Sequence, residues 1–272
     1  MNIPEHRKAI DKLDNQIVKL LNERTKHILA IGEIKLKAGE EIYAPHRERA
    51  VLQRICRKNQ GPITNESLRA IYREIMSSAL SLEKSMTVAY LGPEATFTHQ
   101  AAIRRFGSSL RYSPQKTIND VFAEVSKNRA DYGVVPVENS TEGVVTHTLD
   151  MFVDSDLKIV SQIVLPVQHG LTTAFLVLGR QCSPRTGHDC TSIMFSLGDR
   201  AGALDRALAP FRRHAINLKQ IQSTPSQREP GKYFCFVTCE GHIQDHKVAR
   251  VITLLNKHCA DVKVLGSYPT AE

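Results

Sequence analysis

The sequence predicts a multidomain chain of three folds in series: an all-α first third, an α/β middle, and an α+β, ferredoxin-like C-terminal module. Three observations predict it. Apolar residues recur at three- and four-residue steps through residues 4 to 38; at Met86 the pattern switches to short β-branched runs between helical stretches; after Cys190 the element order becomes β-α-β-β-α-β. With 272 residues, 42% of them hydrophobic and 24% charged, the chain has enough apolar surface to bury real cores, which excludes a disordered polypeptide.

The first helix runs from about residue 4 to 38 on Ile10, Leu13, Ile17, Leu20, Leu21, Ile28 and Ile31, with Gly32 as its one interior glycine and Gly39 as its stop. A second helix follows from about Pro45 to Lys58, with proline where a missing N–H costs nothing and Gly61 just past its end. A third is capped by Thr64 or Asn65 and carries the stripe Leu68, Ile71, Ile75, Ala79, Leu82 to about Glu83. In the middle, VAYLG, YGVVPV, LKIVSQIVLPV and AFLVLG read as strands, THQAAIRRF and TINDVFAEVSKN as helices. The strands lack clean alternation, which predicts a sheet covered on both faces. Residues 180 to 189 are polar and turn-rich and read as a linker. The final six elements are CTSIMFSL, RAGALDRALAPFRRH, INLKQIQS, KYFCFVTCE, DHKVARVITLLNKH and VKVLGS. The domain boundaries follow as 1–85, 86–180 and 190–272.

Composition narrows the function. The longest apolar candidate, Ile163 to Gly179, is broken by Pro166, Gln168, His169 and Gly170, so no membrane span is expected. The first residues have no apolar core and no cleavage site, so a cytoplasmic location is expected. Six scattered cysteines read as reduced thiols, and Cys182 and Cys190 flank His188 at too wide a spacing for a structural zinc, so no metal is expected. The net charge of +8 lies mainly in residues 1 to 85, where 16 Lys and Arg face 11 Asp and Glu. No basic run, zinc finger or aromatic-basic pattern accompanies it, which favours a small acidic ligand over nucleic acid.

The most informative feature is on the first helix, where Arg7, Arg24 and Lys35 occupy positions of the apolar stripe. One such cation can snorkel outward or pair with Asp14, Glu23 or Glu33; three of them call for an anion. Arg24 and Lys35 share a face about 16 Å apart along the axis, close enough for two long side chains to grip a small dianion. Arg7 lies about 25 Å from Arg24 and could reach the same ligand only from a second, antiparallel chain. Arg47 and Glu48 open the second helix and Glu83 closes the third, adding groups of both signs.

These residues, through HRKAIDKLDNQIVKLLNER, IGEIK, APHRERAVL and REIMSSALSLE, resemble the all-helical chorismate mutases fused to the N-terminus of bacterial prephenate dehydratases. The resemblance implies an intertwined helical homodimer through the N-terminal helices, with chorismate and prephenate as ligands. It implies that Arg24, Lys35 and Arg47, with Arg7 of the other protomer, hold the substrate carboxylates and ether oxygen. Glu48 would accept the ring hydroxyl, and Glu83 would stand beside the ether oxygen with Lys35. The family often has Ser where Ala79 stands here. The rearrangement is unimolecular and uses no cofactor; it needs a dianion held compactly while charge builds on an ether oxygen, which fixed cations provide.

AYLGPEATFTHQAA, DYGVVPVENSTEGVV and LTTAFLVLG resemble prephenate dehydratase, which implies a periplasmic-binding-protein-like α/β fold of two lobes. The resemblance places Thr96, Thr98 and His99, the Glu138-Asn139-Ser140 loop and Thr173 around the cleft. Family members carry a second lobe between segments like VLPVQHGL and LTTAF; here His169 and Thr173 are four residues apart. The family's Thr-Arg-Phe reads Thr173-Ala174-Phe175, losing a carboxylate-binding charge. A truncated lobe cannot close a site to water, so dehydratase activity is expected to be absent or weak, and the half-sheet is expected to leave apolar surface open.

DRAGALDRAL, HAINLKQIQSTP and VKVLGSYP resemble the ACT regulatory domain that follows prephenate dehydratase. The resemblance implies phenylalanine as effector, at Gly202, Ala203, Leu204, Asn217 and Leu218, across a paired module. The family's Glu-Ser-Arg-Pro reads Gln222-Ser223-Thr224-Pro225, without both charges, which predicts altered effector binding. A non-catalytic sensing or scaffolding protein derived from the same fusion is the competing reading, and chorismate turnover separates the two.

Overall fold

A computed structural model describes residues 2–39, 43–141, 143–166, 171–225 and 231–270. The chain divides into two compact units. The first comprises Met1–Ala44, Ala50–Met86 and Phe106–Arg111. Its frame is helical: α1 (Ile3–Ala38), α2 (Pro45–Lys58) and α3 (Asn65–Glu83), within a residue of the spans read from the sequence.

Local chemistry sets these ends. Asn2 and Glu5 form a reciprocal capping box, in which the Glu5 N–H donates to Asn2 Oδ1 (3.0 Å) and the Asn2 N–H to Glu5 Oε2 (2.9 Å). Gly39 closes α1 in the left-handed region at φ 69°. Thr64 caps α3 by accepting the Ser67 N–H (3.1 Å). Helix α3 packs along the C-terminal half of α1, where Gly32 is buried. The end of the unit is tied to α3 as well: Glu74 accepts from the backbone and hydroxyl of Ser108, and Ser77 from the Ser109 N–H.

One expectation is corrected here. The apolar stripe of α1 is not buried: Ile10, Leu13 and Ile17 are 55%, 56% and 52% exposed. The helix is about 54 Å long, and among the described residues of this unit α3 packs only along its C-terminal half, which leaves the remainder uncovered.

The second unit comprises Pro45–Arg49, Thr87–Arg105 and Tyr112–Glu272, and so takes in the first turn of α2. Its α/β layer contains β1 (Thr87–Leu91), α4 (Phe97–Phe106), β2 (Arg111–Gln115), α5 (Ile118–Ser126), β3 (Tyr132–Asn139), β4 (Gly143–Val144), α6 (Thr146–Asp154), β5 (Lys158–Pro166) and β6 (Thr172–Gly179). Strand order is β2-β1-β3-β6-β5, with β4 beside β3. β1 and β3 are parallel, while β6 runs antiparallel to both β3 and β5. The sequence reading lacked β2, β4 and α6. Strand β2 is polar and contains Pro114, β4 has two residues, and α6 shows too few apolar positions to declare a period.

The remaining elements are β7 (Asp189–Gly198), α7 (Ala203–Arg213), β8 (Leu218–Pro225), β9 (Lys232–Glu240), α8 (His246–His258) and β10 (Ala260–Pro269). They form an antiparallel sheet in the order β10-β7-β9-β8, the ferredoxin-like arrangement. Its apolar face does not stand alone. Met194, Phe236, Leu265 and Tyr268 share one core with Leu149, Ile159 and Leu176 of the α/β layer, so the face expected to lie open is covered.

The two sheets are pinned closely. A Cβ on Gly266 of β10 would strike the Ile159 backbone of β5. Lys158 Nζ donates to the Val264 carbonyl (3.0 Å), and Lys263 Nζ donates to the carbonyls of Phe152 (3.0 Å) and Ser155 (2.7 Å) at the end of α6. Residues 180–188 are docked rather than slack: Arg180 donates to the carbonyls of Val125 and Ala130, and Ser183 Oγ to that of Val160. Among the described residues no helix is long and apolar enough to cross a membrane.

Candidate active sites

Arg7, Arg24, Lys35 and Glu83 belong to the first unit, Arg47 and Glu48 to the second. Arg7 is exposed, while Arg24 and Lys35 are half-buried where α1 meets α3. Arg24 Nη1 is buried and has no hydrogen-bond partner. Burial pushes the Arg24 pKa down, and the opposing influence is Tyr72 of α3. Among the described residues Nη1 of the Arg24 guanidinium is therefore withdrawn from water with no hydrogen-bond acceptor.

One helical face further on, Glu83 has its pKa raised by burial, with Lys35 pulling the other way. Arg24 with Tyr72 and Lys35 with Glu83 keep the same eleven-residue step, so α1 and α3 run side by side in one direction. Gly32 sets their separation, because a Cβ there would come within 3.2 Å of Glu83 Cγ. A lone glycine inside a 36-residue helix was the available signal for this approach, and the sequence reading did not use it.

Arg47 and Glu48 sit on the first turn of α2. Arg47 is exposed. Glu48 is not a solvated face residue: its carboxylate lies 3.3 Å from Arg105 Nη1 of α4, and the two side chains are only 15% and 22% exposed. Arg49 of the same turn donates to the His188 carbonyl (3.4 Å). Spacing along the sequence gave no hint of Arg105, which lies 57 positions from Glu48.

The second constellation comprises two groups on the α/β layer, one after β1 and one after β3. Its residues lie at or beyond the C-terminal ends of these parallel strands, with β3 running on past its pairing with β1; the C-terminal ends of strands are where open α/β sheets take their ligands. After β1, the Ala95 N–H donates to His99 Nδ1 (3.0 Å), which leaves Nε2 as the protonated nitrogen of the neutral ring. The ring stacks on Tyr90 at 4.6 Å and meets the edge of Tyr112 at 5.7 Å. The Tyr90 hydroxyl is buried without a partner, and burial together with Glu94 raises its pKa. Thr96 Oγ1 donates to the Pro93 carbonyl (3.0 Å), and Thr98 is buried.

After β3, Asn139 pairs in register with Thr173, and Glu138 with Ala174. The Ser140 N–H donates to the Thr172 carbonyl (3.0 Å) and Ser140 Oγ accepts the Thr172 N–H (2.9 Å), locking the Glu138-Asn139-Ser140 loop to the start of β6. Thr173 is buried. Glu138 Oε2 accepts from Gln220 Nε2 of β8 (3.2 Å), a contact from the C-terminal sheet that the sequence did not reveal. The segment carrying His169, where the second lobe would leave the sheet, lies outside the described residues.

Gly202 precedes α7 in the left-handed region at φ 75°, with Ala203 and Leu204 opening the helix. Asn217 and Leu218 follow the other end of this 11-residue helix, beyond the turn closed by the Ile216 N–H on the Phe211 carbonyl. Among the described residues no group of three His, Cys, Asp or Glu could hold a metal.

Comparison with known proteins supplies the rest. Residues 6–84 match the family chorismate mutase type II, and residues 88–176 match prephenate dehydratase. The bifunctional chorismate mutase/prephenate dehydratase of Aquifex aeolicus is 39% identical over 355 aligned positions, covering 99% of this chain and 98% of the relative. That of Neisseria gonorrhoeae is 33% identical, covering 98% and 96%. The crystal structure of prephenate dehydratase from Streptococcus mutans superposes with a TM-score of 0.61 at 31% identity, over 69% of this chain and all of that one. Prephenate dehydratase from Arthrobacter aurescens in complex with L-Phe shares the fold, with a TM-score of 0.63 at 23% identity over 68% of this chain and 90% of that one.

Proposed function

Because this chain belongs to the bifunctional chorismate mutase/prephenate dehydratase family, we propose that it converts chorismate to prephenate at a site built from Arg24, Lys35, Arg47, Glu48 and Glu83, with Arg7 delivered by a second copy. The observation that carries this reading is the half-buried Arg24, whose Nη1 is shut off from water with no acceptor among the described residues and so stands ready for an anionic ligand. Lys35 and Glu83 together meet the ether oxygen. The raised pKa of Glu83 favours its protonated form, which can donate a hydrogen bond where negative charge grows in the transition state. The exposed apolar stripe of α1 supports an intertwined homodimer, since a second α1 laid along it would bury Ile10, Leu13 and Ile17 and bring Arg7 to its neighbour's Arg24.

In the same reading the dehydratase half, which would turn prephenate into phenylpyruvate, is lost or weak. Support comes from the alignment to the Aquifex aeolicus relative, whose 355 positions far exceed the 272 residues of this chain. Further support comes from the sequence, in which only the five residues 167–171 separate β5 from β6, and from Ala174 at the family's arginine position. The C-terminal sheet is read as an ACT domain taking phenylalanine across a pair of modules, since Gly202 and Asn217 stand at opposite ends of α7. A cytoplasmic location goes with this biosynthetic role.

The experiment is direct. Purified protein given chorismate should consume it and accumulate prephenate without forming phenylpyruvate above the uncatalysed rate. Absence of chorismate turnover would retire the mutase reading in favour of a non-catalytic sensor, and rapid phenylpyruvate formation would retire the truncation argument. An unchanged melting temperature at millimolar phenylalanine would remove the effector reading.

A further inference from the structure

We infer that Arg105, a residue of the dehydratase-type α/β layer, is a positioning residue for the mutase reaction, holding the Glu48 carboxylate in the orientation that receives the ring hydroxyl of chorismate. The inference rests on the proposed role of Glu48. It goes beyond that role in assigning part of the mutase machinery to a helix outside the mutase-matching residues 6–84.

Three observations carry it. The first turn of α2, Pro45–Arg49, clusters with the second unit rather than with the remaining helical residues, so its surroundings are set by the α/β layer. Within that unit Arg105 Nη1 stands 3.3 Å from Glu48 Oε2, with both side chains largely withdrawn from water. The same turn is held a second time by Arg49 on the His188 carbonyl.

A glutamate on an exposed helix turn samples several rotamers and presents its oxygens in no fixed direction. Taken largely out of water and paired with a guanidinium, the carboxylate is held in one orientation rather than sampling several. Fixing an acceptor before substrate arrives is what converts a hydrogen bond into rate, and a misplacement of about 1 Å can cost on the order of 10²-fold. Arginine suits the task because its planar fork constrains the partner's orientation, which a flexible ammonium does less well.

Helix α4 carries His99 in its first turn, just after Thr96, and Arg105 in its last turn. A chain trimmed to the mutase-matching residues would keep Glu48 and lose the group that orients it.

The test is a double-mutant cycle in the full chain, read as steady-state chorismate consumption. Glu48→Gln, Arg105→Met and the pair are compared, with Arg105→Ala as a second truncation and Arg105→Lys as the conservative variant. Both single truncations should lower kcat/KM by roughly ten- to a hundredfold, and the pair should be no worse than Glu48→Gln alone. Arg105→Lys should restore part of the loss, and melting temperatures should show that each variant is folded. Wild-type kcat/KM in both Arg105 truncations, beside a damaged Glu48→Gln, would overturn the inference while leaving Glu48 in place. Multiplying losses would overturn it too, because they mark a structural contribution independent of Glu48. An undamaged Glu48→Gln would instead remove Glu48 from the reaction, and the inference with it.

Discussion

Replacing Arg24 with methionine should stabilise the unliganded chain and disable the mutase at once. The guanidinium is half-buried against α3, its Nη1 is shut off from water and finds no acceptor, and burial already weakens its hold on a proton. An unsatisfied buried donor costs about 1–3 kcal/mol, and methionine fills most of the same volume without any donor. Part of the guanidinium still reaches solvent, so the lower end, about 1 kcal/mol, is the expected gain. For a helical unit of this size that corresponds to a rise in Tm of about 4–8 °C. The cost appears in turnover. Deleting one preorganised donor to a developing oxyanion typically removes about 10²–10³ in kcat, and a full positive charge on a carboxylate should lie at or above that range. Thermal melts with and without a non-reactive dicarboxylate analogue, alongside chorismate consumption, measure both effects. Wild-type protein should gain Tm from the dianion, and Arg24→Met should not. A variant that melts lower than wild type while turning over normally would refute the reasoning, because it would make Arg24 a structural residue.

Glu83→Gln tests the sign of a pH effect. The folded pKa of Glu83 is raised, so its contribution to stability is present below the ordinary carboxylate value and fades as pH rises through the raised one. The variant should match wild type in Tm at acid pH and overtake it towards neutrality, and it should flatten a decline in mutase rate with rising pH; a pH-independent difference would contradict this. Gly266→Ala should cost about 3 kcal/mol or more, the top of the usual overpacking range, because the new methyl meets the Ile159 backbone rather than a side chain that can swing away. That is a Tm loss of roughly 6–12 °C, whereas Gly187→Ala, which has no neighbour in reach and only its φ of 89° to strain, should lose about 1–2 kcal/mol.

The helical frame was legible because each of its signals is local. Pro45 at a first turn, Thr64 at a cap, Gly39 at a stop and a long apolar period each act within a few residues, and α1 to α3 came out within a residue of their predicted ends. The β-α-β-β-α-β order at the C-terminus was legible for the same reason. Burial was not. A period tells which residues share a face but not what lies on that face, so the α1 stripe looked like a core although one chain leaves it exposed. The contacts that lock the candidate sites were equally invisible, because Arg105 with Glu48 and Gln220 with Glu138 join residues 57 and 82 positions apart through the folding of the sheets. Arg24 was the intermediate case: the stripe marked it as out of place, and only the structure showed that its Nη1 is buried with no acceptor among the described residues.

The reciprocal lysines between the sheets bear on how the chain comes apart. Lys263 closes the carbonyl end of α6 with a charge borrowed from β10, and Lys158 answers from β5 onto the Val264 carbonyl. Unzipping the last strand would strand those carbonyls and reopen a shared apolar layer, so the two sheets should denature together as one foldon. Amide exchange in β5 and β10 should accordingly slow to the same rate, and a protease cutting near residue 185 should nick the chain without setting the tail free.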